Sequence, residues 1–140
     1  MINIVSFFNN HDKRESNMNE LLKFNDNDLV YGPKADGALR KWQQKFGGKL
    51  LDDVADPYYN GYAGDWIARS IHHLNLLIKH NNVLHFDLTY MEDIDNLLIG
   101  NGIHADKITS YELRYVRDNW SIFKFNTKFY KNNEEASKPW

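Results

Sequence analysis

His85 and Asp87 stand two residues apart in the stretch NNVLHFDLTYMEDID. In an extended segment they share one face, with side chains about 7 Å apart. A histidine beside a carboxylate can supply general acid and base near neutral pH. The plainer reading is the outward side of a strand whose Leu84, Phe86 and Leu88 point to a core. Spacing alone fits both.

A second group lies in ITSYELRYVRDNW. Thr109, Glu112 and Arg114 fall at the start of a predicted helix, where free amides attract an anion and an arginine can grip phosphate with two donors. Arg117 is one turn further on and can share that face. The plainer reading makes Thr109 and Glu112 a capping box and the arginines surface charges. Lys41, with Lys34, Arg40, Lys45 and Lys49, surrounds Trp42, a mixture that can hold single-stranded nucleic acid. It is equally the outer face of a helix whose Trp42 is core. Tyr58 and Tyr62, in DPYYNGYAGD, can stack on a base or a nicotinamide, or merely cover apolar surface.

Other chemistries have less to stand on. Glu92, Asp93 and Asp95, with Asp87, can approach a divalent cation, but acidic residues also favour a helix start for electrostatic reasons. No metal is expected. Adjacent His72 and His73 point in different directions on a helix, and His73 fits its inner edge. Cysteine is absent, which removes thiol nucleophiles and cysteine-based zinc sites. No glycine-rich phosphate loop, dinucleotide fingerprint or Gly-x-Ser-x-Gly elbow is present. No cofactor is expected.

The positioning elements follow from periodicity. Leu39, Trp42 and Phe46 recur at helical spacing from about Lys34 to Phe46, and Gly47-Gly48 offers a stop. Trp66, Ile67, Ile71, Leu74, Leu77 and Ile78 predict a helix from Gly64 to His80, with Asp65 and Arg69 paired on its outer side. A strand is expected over Val83 to Thr89. Thr89 and Glu92 predict a capping box opening a short helix through Leu98. Thr109 and Glu112 predict another, opening a helix to Phe123 with Leu113, Val116 and Trp120 inward. A late strand is expected near Thr127 to Tyr130. Residues 1–30 read as a polar N-terminal segment, and residues 31–140 as one globular domain. The fold class expected is α+β: a compact, helix-rich domain with a small sheet packed against helices.

Bulk properties bound the function. A chain of 140 residues with 42% hydrophobic content is enough for one real core. No apolar run reaches the length of a membrane span. MINIVSFF has neither the basic start nor the small-residue cleavage site of a secretion signal. A formal net charge of −2 gives no global pull toward nucleic acid. Residues 101–140 nevertheless carry seven basic side chains against five acidic ones, so a local basic face is possible.

Three stretches, YGPKADGALRKWQQKFGGKLLDD, VLHFDLTYMEDIDNLLIGNG and ITSYELRYVRDNWSIFKFNTKFYKNNEEASKPW, together resemble C-terminal toxin domains of bacterial polymorphic toxins. These are the exchangeable tips of contact-dependent inhibition, filamentous-haemagglutinin-like and Rhs-type proteins. The resemblance spans about residues 31–140. It implies a bacterial domain that acts in the cytoplasm of a target cell and is neutralised by a cognate immunity protein. It implies, first, a metal-independent ribonuclease cutting tRNA or rRNA. His85 would then be general base or acid, with Asp87 orienting it. Arg114 would steady phosphorane charge, helped by Lys41 or Arg117, and Thr109 would offer a hydroxyl. The alternative is an NAD-consuming or ADP-ribosyl-transferring toxin with Glu112 as acid and Arg69 and the Tyr58–Tyr62 loop at the nucleotide. A further alternative is a non-catalytic binding module or immunity-type protein.

Overall fold

A computed structural model describes residues 23–54 and 65–140. Its strands are β1 (Phe24–Tyr31), β2 (Gly47–Lys49), β3 (Leu84–Asp87), β4 (Thr127–Lys131) and β5 (Glu134–Ala136). Its helices are α1 (Ala38–Phe46), α2 (Trp66–Lys79), α3 (Ile94–Leu98), α4 (Ile108–Asp118) and α5 (Trp120–Phe123). Helices and a mixed sheet pack into a compact α+β arrangement, as the sequence predicts. The sheet order is β2-β1-β3-β4-β5. The first four strands run parallel and β5 returns antiparallel to β4.

Alternation along the strands separates two cores. Leu29 and Tyr31 of β1, Leu84 and Phe86 of β3, and Phe129 of β4 face α2 and α4, meeting Leu74, Leu77, Leu113 and Val116. Val30 and Tyr130 face the other way, onto Leu39, Trp42 and Phe46 of α1. The sheet is thus covered on both faces. Each fully buried leucine or phenylalanine contributes on the order of 1.5–3 kcal/mol through burial. Among the described residues, no helix is long and apolar enough to cross a membrane.

Several local expectations change. Most of β1 falls inside the segment read as a polar leader. Its first half is largely exposed, and only Asp28 to Tyr31 are buried, so a short run carries the whole signal of a central parallel strand. The strand β2 is only Gly-Gly-Lys, and Gly47 ends α1 at φ 98°. Neither predicted capping box forms. Thr89 Oγ1 donates to Asp87 Oδ1 at 2.5 Å and accepts from Asn132 N at 2.9 Å. Asp93, in a left-handed conformation, precedes α3. Thr109 lies inside α4, whose N-cap is Lys107, so Glu112 is free to turn inward. The helix predicted to Phe123 breaks at Asn119 into α4 and α5. Arg69 is buried in the inner face of α2, and Asp65 instead caps it by accepting from Ala68 N at 2.9 Å.

Candidate functional site

The chain leaves β1 toward β2 on one side and leaves β3 toward β4 on the other. The strand order therefore switches direction between β1 and β3, and such switch points open a crevice at the carboxyl ends of parallel strands. A cleft of about 860 Å³ lies there, a size typical of ligand pockets. Its floor includes Val30, Tyr31 and Gly32. One wall is Pro33, Lys34, Leu39 and Arg40, leading into α1. The other is Tyr90, Met91 and Glu92 after β3, with Lys107, Ile108, Thr109 and Glu112 from the start of α4. Leu50, Leu51, Asp52, Trp66, His104 and Asp106 also line it.

Gly32 lets the two strand ends approach. A Cβ there would lie 2.8 Å from the Asp87 carbonyl oxygen and 3.2 Å from Leu39 Cδ1. Thr109 Oγ1 donates to the Gly32 carbonyl at 3.3 Å, tying α4 to the same turn. We expect Gly32→Ala to lower stability by roughly 2 kcal/mol, because backbone rather than a flexible side chain must move. Urea unfolding measures this. An unchanged midpoint would mean that the turn has slack the geometry does not show.

The chemically distinctive group in the cleft is Glu112. It is 7% exposed, and burial pushes its carboxyl up from 4.5 to about 7, while a hydrogen bond from Ser70 pulls it down. Ser70, on α2, is fully buried, and its Oγ donates to Glu112 Oε2. The Tyr31 hydroxyl donates to the Ser70 carbonyl at 3.0 Å. Burial first, and then the Glu112 charge, push the Tyr31 phenol well up. Beside them, the Arg69 guanidinium lies 5.0 Å from the Trp66 ring centroid and donates to the Val54 carbonyl at 3.4 Å. A carboxyl titrating near neutrality in a cleft can give or take a proton at working pH.

The predicted site residues do not converge. His85 is buried beneath Phe24, on the sheet face that carries α1 and is opposite α2 and α4, and does not line the cleft. Its Nε2 lies 2.8 Å from Asp28 Oδ2 and its Nδ1 2.8 Å from the Tyr130 hydroxyl. A neutral ring with its proton on Nε2 satisfies both, with Tyr130 donating to Nδ1. Phe24 stacks on it at 3.6 Å. Burial lowers the imidazole's pKa, and Asp28 opposes that shift. Asp87 does not reach His85; it accepts from Thr89 N at 3.0 Å. Arg114 donates to the carbonyls of Leu97 at 2.7 Å and Ala105 at 2.9 Å, under the Tyr111 ring. Arg117 donates to the Leu98 carbonyl and to Asp118. Both arginines buckle the α3–α4 connection. Lys41 is exposed on α1, outside the cleft lining. Thr109 is in the cleft. Tyr58 and Tyr62 lie outside the described residues.

Ser70 and Tyr31 were not singled out by sequence. The signal for Glu112 and Ser70 was nonetheless present. Glu112 is four residues before Val116, and Ser70 four before Leu74, so each polar group sits on a buried stripe.

A largely parallel sheet covered on both faces thus holds a buried carboxyl, pushed up to about 7, in the crevice at its switch point. No protein-family model, no curated protein and no solved structure matches the chain.

Proposed function

We propose that the cleft is the active site of an enzyme that cleaves the nicotinamide–ribose bond of NAD, with Glu112 as its acid–base group. The observation that carries this reading is a carboxyl buried in the lining of a switch-point cleft, where burial pushes it up to about 7. The cleft volume suits a nucleotide. Leu39, Leu50, Trp66 and Ile108 offer apolar and aromatic walls, and Lys107 supplies positive charge at the edge, where Lys34 is paired with Asp52 at 3.3 Å. In the hydrolysis the C1′–N bond breaks and its electron pair neutralises the pyridinium nitrogen. Water bonds to C1′, and its proton goes to the Glu112 carboxylate and then to solvent. The ionised form does this work, so the rate rises with pH through about 7. A ribonuclease centred on His85 has less support, because both ring nitrogens are engaged away from the cleft.

The resemblance of the three quoted stretches to polymorphic-toxin tips supports a toxic role in a bacterial competitor, held in check by an immunity protein. Brief induction in bacteria tests both parts. The wild-type chain should deplete cellular NAD and arrest growth with tRNA and rRNA intact, and Glu112→Gln should do neither. Discrete RNA fragments with NAD unchanged would return the reading to a ribonuclease. Normal growth with NAD and RNA intact would favour a binding module.

A further inference from the structure

Glu112 makes one hydrogen bond among the described residues, and it comes from Ser70. We propose that Ser70 is a positioning residue that sets the working pH of the cleft: its hydroxyl holds one oxygen of the ionised Glu112 carboxylate and leaves the other for chemistry. This rests on the reading of Glu112 as the acid–base group.

The geometry favours a dedicated role. Ser70 shows no exposed surface, and a buried hydroxyl is placed where its donor is used. Its backbone is held from below, since Tyr31 on β1 donates to its carbonyl at 3.0 Å. The serine is therefore fixed between the sheet and α4, which pack on either side of it. A hydroxyl can only donate to a carboxylate, so the bond favours the charged form. Without it, burial alone would leave Glu112 protonated further into the alkaline range. On the sheet face and the α2 face packed here, the other buried charged or titratable groups are Tyr31, Arg69 and His73. Around the cleft stand Lys34, Arg40, Asp52, Glu92, His104, Asp106 and Lys107. Among the described residues, the hydrogen bond to the carboxyl comes from Ser70.

The test follows the carboxyl carbon of Glu112 by NMR across pH 4–10, in wild type and in Ser70→Ala, with Glu112→Gln assigning the signal. Ser70→Ala should move the Glu112 midpoint up by about one pH unit, the worth of a hydrogen bond to a charged group. The rising limb of NAD cleavage against pH should move with it. Ser70→Cys, similar in volume but a weak donor, makes the same test should the alanine variant not fold. An unmoved midpoint in a folded variant overturns the proposal. A midpoint that moves in a chain that cleaves no NAD supports the Ser70–Glu112 coupling and overturns only the substrate assignment.

Discussion

Glu112→Gln is expected to lower NAD cleavage by roughly 10²–10⁴-fold while making the fold more stable at alkaline pH. The amide keeps an acceptor for Ser70 Oγ but cannot take a proton from water. The two effects come from one cause, a carboxyl buried where its charge is costly. As pH rises, the unfolded chain releases this proton near 4.5, whereas the folded chain keeps it until about 7. Between those values the folded state binds more protons, so stability falls with rising pH and then levels off. The full difference is on the order of 3 kcal/mol. Glutamine removes the dependence. Thermal unfolding of the two proteins should coincide near pH 4 and diverge toward pH 8, with the variant higher. A variant that is inactive and also less stable at pH 8 would mean that Glu112 is a structural anion.

The opposite pattern is expected at His85. Removing the ring strips partners from Asp28 and from the Tyr130 hydroxyl, both buried, and opens space beside Phe24. We expect His85→Ala to cost roughly 3–4 kcal/mol, read as a lower urea midpoint. Activity per folded molecule should be unchanged. Full stability with lost turnover would move the reactive centre to His85. The ring also gives the wild type an acid limb. Burial holds its pKa below 6.5, so the unfolded chain takes up a proton first and stability drops as pH falls below that value. Glu112 acts in the opposite sense over part of this range. Comparing each variant with wild type at the same pH separates them.

The helices were largely legible because their apolar stripes are long: Leu39-Trp42-Phe46 marks the buried face of α1, and Leu74 and Leu77 that of α2, where Trp66 turns out to be exposed and Arg69, Ser70 and His73 share the buried side. The strand at Leu84–Asp87 was legible for its alternation. That alternation placed His85 opposite Leu84 and Phe86 but could not say what covers the far face, which is α1. The central strand β1 was obscured by FNDND, a polar half strand before a three-residue apolar run. The site was half legible. Thr109 and Glu112 stood out as a capping box, and that local explanation concealed the tertiary one. Each instead reaches across the fold, Thr109 to the Gly32 turn and Glu112 to Ser70. A glutamate on a buried stripe opposite a serine on another is a contact that only the packing of α4 against α2 reveals.

The first experiment is to incubate the purified chain with NAD at pH 8 and separate the products by chromatography. Nicotinamide and ADP-ribose should form in equal amounts with the wild-type chain and almost none with Glu112→Gln. Intact NAD with the folded wild-type chain, or equal cleavage by the folded variant, would overturn the assignment of Glu112.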